Sequence, residues 1–242
     1  MRYELYYWPG LQGRGEFVRL ALEEAGADYV DIALVPEEQG GGVPAMTRFL
    51  EGDDVLRPPF APPFLQCGRQ LIGQTANILL FLGGRLKLAP RNAAGKLWTH
   101  QLQLTLADLI TEVHDTHHPI DTGRFYEEQR AAAKQRSAAF LAQRLPKYLG
   151  YFERVLQRNL GRGPGLVGDG ITYVDLSMAQ VIAGLRFAFP SASRKALATC
   201  PRLCALHDEV FARPRLKAYL ASGRRVAFNN DGIFRRYPEL DT

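Results

Sequence analysis

Cysteine is scarce: the 242 residues include only three, Cys67, Cys200 and Cys204. An odd number this small cannot make a disulfide framework, so a reducing, cytoplasmic setting is the simplest expectation. Long hydrophobic runs are missing too. No stretch approaches the roughly 18 apolar residues of a membrane span, and MRYELYYW enters a strand pattern with no signal-type hydrophobic region. No membrane association is therefore expected. Lysine is sparse, at 6 against 24 arginines, with a formal net charge of +5. The arginines are scattered, with no basic run and no interleaved aromatic stripe. That argues against nucleic acid as a partner and leaves room for a small anionic ligand. Internal repeats and low-complexity tracts are absent. What remains is an ordinary globular composition, 46% hydrophobic and 23% charged. The length suits one large domain or two small ones.

The pattern changes near residue 90. Residues 2–8 read as an aromatic-rich strand, and 14–25 carry Phe17, Val18, Leu20, Ala21 and Leu22 at helical spacing with Gly26 as a C-cap. DYVDIAL alternates and reads as a second strand, parallel to the first through a right-handed crossover. A short helix is possible over roughly 44–51. RPPFAPPFLQCGRQLIG reads as a hairpin, FLQ and QLIG, turning at Cys67-Gly68, and a helix opens at Gln74-Thr75. The first 86 residues are thus an α/β unit, βαβ then ββα, on a mixed sheet. KLAPRN, within 87–92, is a linker. From 93 to 242 apolar spacings of three and four dominate, which predicts an all-α unit of antiparallel helix pairs. In ITYVDLSMAQVI, Thr172 and Asp175 form a capping box, with Ile171 as the hydrophobic staple.

Taken in order, these pieces resemble the cytosolic glutathione S-transferases that use a tyrosine. The resemblance runs along nearly the whole chain. It rests on Tyr-Trp-Pro with Gly-Arg following, Ala-Pro-Pro-Phe before a hairpin, Gln74-Thr75 at a helix start, Ile-Thr-x-x-Asp after Val167-Gly168-Asp169, and ARPRLKAYLAS. It implies a thioredoxin-like N-terminal domain over 1–86, an all-helical domain over 93–242 lining an electrophile site, and a homodimer. It also implies conjugation of glutathione, as co-substrate, to a small hydrophobic electrophile, a detoxification chemistry.

Such a site must stabilise the thiolate, the nucleophilic form of a thiol whose free pKa is about 8.5. A tyrosine hydroxyl keeps its proton near neutrality and can donate it to sulfur. By the resemblance the donor is Tyr7. Tyr6 faces the other side of the strand and reads as packing. No Ser, Thr or Cys lies between Trp8 and Phe17, which argues against the serine- and cysteine-using relatives. The implied glutathione contacts are Trp8, Arg14, the backbone of Ala61, Pro62, Gln74 and Thr75, with Asp108 reaching into the neighbouring subunit. The family's cis proline is assigned to Pro62, which puts the backbone contact at Ala61. Arg48 and Arg57 are candidates for the glycyl carboxylate. Trp8, Leu11, Gln12, His114 and His118 are expected to line the electrophile pocket. The C-terminal tail NNDGIFRRYPEL could fold back over it.

Three rivals stand beside this reading: a non-catalytic carrier of glutathione or hydrophobic ligands on the same fold, and glutathione-dependent peroxide reduction or isomerisation. His114 and His118 lie one helical turn apart, as metal pairs do. No third ligand stands at a telling spacing, so no metal is expected. Cys200-x-x-x-Cys204-x-x-His207 reads as buried free thiols.

Overall fold

The computed structural model describes residues 2–159 and 163–242. Strand β1 (Tyr3–Tyr6) leads through helix α1 (Gly15–Ala25) to β2 (Tyr29–Asp31). Helix α2 (Gly42–Glu51) precedes the hairpin β3 (Phe64–Cys67) and β4 (Gln70–Gly73), which is followed by α3 (Thr75–Arg85). The sheet order is β2-β1-β3-β4. β1 pairs parallel with β2 and antiparallel with β3, in register Leu5 to Leu65. The sheet is mixed, as the alternation of strand, helix and hairpin requires.

The two-residue period of β1 divides its side chains between two cores. Tyr3 and Leu5 join the large core with Phe17, Leu20, Ile78 and Leu82. Tyr6 turns to the opposite face, where it stacks on Phe64 (centroids 4.7 Å apart) and meets Phe49 edge-on at 5.1 Å, with buried Met46 beside them. Tyr6 is therefore packing.

The second strand is shorter than DYVDIAL suggests. It stops at Asp31, whose carboxylate accepts from the Ala33 N–H and receives the Arg19 Nε–H at 2.5 Å. Capping the 3₁₀ turn Ile32–Leu34 and holding a buried guanidinium end the strand there.

After α3 the described residues form only helices: α4 (Ala93–Asp115), α5 (Arg130–Ala139), α6 (Leu145–Arg158), α7 (Tyr173–Ala188), α8 (Pro190–Leu197), α9 (Pro201–Ala212) and α10 (Pro214–Leu220). A π-helical turn, Phe140–Arg144, joins α5 to α6. The capping box at α7 forms: Asp175 accepts from the Thr172 N–H and hydroxyl, both at 2.7 Å, and from the Leu166 N–H. Helix α7 is almost wholly buried and packs on α1, α4 and α9, so it ties the two halves together.

The tail after α10 returns across the molecule. Val226 C=O accepts from Gln12 Nε2 at 2.6 Å, and Asn229 donates to Gly10 C=O at 2.9 Å. Tyr237 stacks on Tyr126 at 3.7 Å, and Asp241 caps the first turn of α8 through the Ser191 and Ala192 amides. The tail thus lies over the loop that follows β1.

Candidate active site

The site is built where β1 runs out. Continuing the strand's alternation, Tyr7 faces the same side as Leu5 and lies beneath the loop Pro9–Arg14. Glycine is required in that loop. A Cβ on Gly13 (φ +43°) would sit 2.0 Å from the Tyr7 hydroxyl oxygen, and one on Gly15 would sit 2.7 Å from its Cγ. The ring is clamped against bare backbone, and its hydroxyl accepts the Arg14 N–H at 2.9 Å. Among the described residues no acceptor takes the hydroxyl's own proton. Burial pushes the Tyr7 pKa up, against the lowering effect of the Arg14 N–H and the Arg14 and Arg19 guanidiniums. The phenol therefore stays protonated and is a fixed donor.

A cavity of about 420 Å³ adjoins this loop, lined by Arg14, Gln74, Thr75, Asn77, His100 and Gln103 among others. Tyr7 does not line it and reaches it through Arg14. Arg14 has no ion-pair partner among the described residues, whereas Arg19 is spent on Asp31 and Glu16. Helix α3 opens onto the cavity. Its first intrahelical bond is Ile78 N–H to Gln74 C=O, so the Thr75, Ala76 and Asn77 amides are left free at the positive end of the helix dipole. Gln74 takes φ +68°, an uncommon conformation for a side-chain-bearing residue, and strain of this kind gathers at ligand sites. Thr75 Oγ1, His100 Nδ1 and Gln103 Oε1 are buried without a hydrogen-bond partner in the protein. A guanidinium, a helix N-terminus and unsatisfied polar atoms around one cavity can hold a zwitterionic amino-acid group.

The sequence profile for "Glutathione S-transferase, C-terminal domain" matches residues 114–223. A glutathione S-transferase of Plasmodium falciparum is 24% identical over 230 residues, 93% of this chain and 97% of the relative. Glutathione S-transferase P 2 of Bufo bufo is 29% identical over 232 residues, 95% and 98%. The Pi-class glutathione S-transferase of Onchocerca volvulus superposes with a TM-score of 0.68 at 21% identity, covering 91% of this chain and 92% of the other. Prostaglandin synthase D of Nilaparvata lugens gives 0.71 at 18%, covering 94% and 100%.

In sequence and fold this chain resembles the glutathione S-transferases. The mixed sheet and the helical C-terminal half share the thioredoxin-like plus all-α fold of these solved structures.

Of the residues expected at the site, the structure brings Tyr7, Arg14, Gln74 and Thr75 near one another. Trp8 is 40% exposed beside them, and Leu11 is half-buried, its carbonyl taken by Arg19. Asp108 is exposed on α4 and does not line the cavity, although Leu104, Ala107 and Thr111 around it do. Arg48 lies over the Phe49 ring, and Arg57 lines a separate cavity beside β4, with Arg69. One expectation is corrected. The cis peptide is Pro62–Pro63, not Ala61–Pro62. Pro63 is buried, Pro62 is half-buried and Ala61 is exposed. The residue flanking the cis bond is then Pro62, which offers a carbonyl but no N–H.

Two residues of the expected electrophile pocket have other partners. Gln12 is 6% exposed, with its amide held between Val226 C=O and Gln180 Nε2. His118 is buried against His117, whose pKa desolvation lowers to about 3. Desolvation, with His118 and Arg14 nearby, lowers that of half-buried His114 to about 4. His100 and Gln103 were not anticipated. With Ala107 and Thr111 they form one stripe of α4 facing α3. Polar residues interrupting an apolar i, i+3, i+7 stripe were the available signal.

Proposed function

We propose that this chain is a glutathione transferase in which the Tyr7 hydroxyl donates to the glutathione sulfur and stabilises its thiolate. The observation that carries this reading is the Arg14 N–H to Tyr7 Oη hydrogen bond. It fills an acceptor site on the oxygen and leaves the O–H free to donate, and burial keeps that proton in place. The thiol proton leaves to solvent. The sulfur lone pair then forms an S–C bond to a small hydrophobic electrophile, and the leaving group departs with its electron pair or the adduct takes a proton from water. A preorganised donor in a water-poor site is worth roughly 10² to 10³ in rate.

In this reading residues 1–86 hold glutathione and 93–242 supply the electrophile side. The γ-glutamyl carboxylate takes the free amides of α3 and the Thr75 hydroxyl, with Arg14 adding positive charge. Asp108 serves the γ-glutamyl amine of a second copy, which makes the active unit a homodimer. Exposed Leu80, Leu97 and Leu104 on α3 and α4 support pairing through that face. The low cysteine count suits a cytoplasmic setting, and conjugation of an electrophile is a detoxifying chemistry.

The test is the ultraviolet thiolate absorbance of bound glutathione, titrated with pH in the parent and in Tyr7→Phe. Activation lowers the thiol pKa in the parent, and the variant restores the free value. Binding with an unshifted pKa sinks the catalytic role of Tyr7 and leaves a carrier. Product analysis with peroxide and with double-bond substrates separates conjugation from reduction and isomerisation.

A further inference from the structure

Helix α4 ends in an unusual way. Thr116 N–H bonds to Val113 C=O, while both the His117 and the His118 N–H reach His114 C=O at 3.2 Å. These tightened bonds curl the chain back over the helix end and bring three imidazoles together, His114 stacked on His118 and His117 edge-on to both. The ring centroids are 5.0 Å apart for His114–His117, 5.1 Å for His114–His118 and 4.8 Å for His117–His118. One ring nitrogen from each lies within 4.8 Å of the other two. His117 is 1% exposed and His118 7%, while His114 is half-buried and gives the cluster an open side.

The tautomers follow from the partners. His117 Nε2 lies 2.8 Å from Ile233 C=O. A carbonyl only accepts, so neutral His117 carries its proton on Nε2 and its bare lone pair is on Nδ1. That lone pair points at His118 Nδ1, 2.5 Å away. Anchoring the distal N–H of an imidazole on a backbone carbonyl is the arrangement that orients metal-binding histidines. The carbonyls at the C-terminal end of a 23-residue helix add a negative potential. Arg14 and Arg235 face the cluster with positive charge, and Glu127 faces it with negative charge.

We propose that His114, His117 and His118 form a three-imidazole site for a divalent transition-metal ion of the zinc type, with its fourth position open toward the exposed edge of His114. Neutral imidazole is a preferred ligand for such ions. Three nitrogens plus water complete a tetrahedral shell at Zn–N distances of about 2.0–2.1 Å. Ligand nitrogens on one tetrahedral ion stand roughly 3.4 Å apart, a distance set by those bond lengths. A small rotation of the His118 ring away from His117 meets it. Because Ile233 belongs to the C-terminal tail, an ion here also fastens the tail to α4.

The test uses the full-length protein, stripped with a chelator and titrated with Zn²⁺ in competition with a chromophoric chelator. Cu²⁺ is added in parallel, to count nitrogen ligands by electron paramagnetic resonance. The expected result is one equivalent of Zn²⁺, three equatorial or near-equatorial nitrogens on Cu²⁺, and a metal-dependent rise in Tm. His114→Gln and His118→Gln should each lower the affinity by at least about tenfold. His100→Gln with His207→Gln, which removes the other imidazoles, should leave it unchanged. His114→Gln keeps the tail anchor on Ile233, so its loss of affinity is separable from unfolding. The proposal is overturned if the stripped parent takes up no more Zn²⁺ than a folded His114→Gln/His118→Gln double variant. It is equally overturned if the His100→Gln/His207→Gln variant is the one that loses the ion. In either case the three rings are a hydrogen-bonded latch for the tail.

Discussion

Replacing Gly13 by alanine tests the clamp on Tyr7. The position has φ +43°, and the added Cβ would lie 2.0 Å from the Tyr7 hydroxyl oxygen, 2.7 Å from Cζ and 2.8 Å from Cε1. Two costs add. An L-residue in the left-handed region costs about 1–2 kcal/mol. Overpacking a rigid neighbour costs about 1–3 kcal/mol. The sum of roughly 2–5 kcal/mol lowers Tm by about 5–15 °C at this chain length. The tyrosine ring is also displaced from the Arg14 N–H, so kcat/KM falls by roughly 10²-fold, the usual loss for one preorganised donor. Differential scanning calorimetry and conjugation kinetics read the two effects. A double-mutant cycle makes the reasoning specific. In a Tyr7→Phe background the first atom met lies at 2.7 Å instead of 2.0 Å. The Gly13→Ala destabilisation should then shrink by about 1 kcal/mol, a coupling typical of touching residues. A Gly13→Ala protein with parental Tm and activity would refute the clamp. Strictly additive effects in the double variant would refute contact through the hydroxyl.

Three further outcomes are expected. Thr75→Val removes a buried hydroxyl that has no partner in the protein, so Tm should hold or rise while KM for glutathione increases; a lower Tm with unchanged KM contradicts the assignment. Gln12→Ala strands Val226 C=O and the Gln180 amide and should cost about 1–3 kcal/mol, with faster hydrogen exchange confined first to residues 226–240; uniform exchange across the chain argues against a separately anchored tail. Burial raises the Asp175 carboxyl to about 6 despite its three donors. Its folded pKa exceeds the unfolded value, so the native state holds the extra proton between about pH 4 and 6 and Asp175 makes stability fall as pH rises through that window, by on the order of 3 kcal/mol. Asp175→Asn should remove that slope from urea denaturation measured across the window, and an identical slope in both proteins rules the attribution out.

Much of this was legible along the chain because the signals are local. The alternation through Tyr6 and Tyr7 sends one ring into the core with Phe49 and Phe64 and the other toward Arg14. Thr172 and Asp175, three residues apart, specify their own capping box. Cys67 and Gly68 mark a turn between two short apolar runs, and the hairpin forms there, with Phe64 opposite Gly73. Gln74-Thr75 opens a helix whose free amides follow from helix geometry alone.

Only tertiary structure decided the rest, because the deciding partners lie far away in sequence. Nothing in Ala61-Pro62-Pro63 says which bond is cis, and in the fold it is the one before the buried Pro63. Gln12 looked like a pocket residue until Val226 and Gln180, more than 160 positions away, took both ends of its amide. His117 was invisible as a third imidazole because the spacing of an unbroken helix does not apply where α4 curls at Thr116, and its tautomer depends on Ile233, 116 residues on. A side chain's face is set by the dihedral period of its own element, whereas its partner is set by how the elements pack.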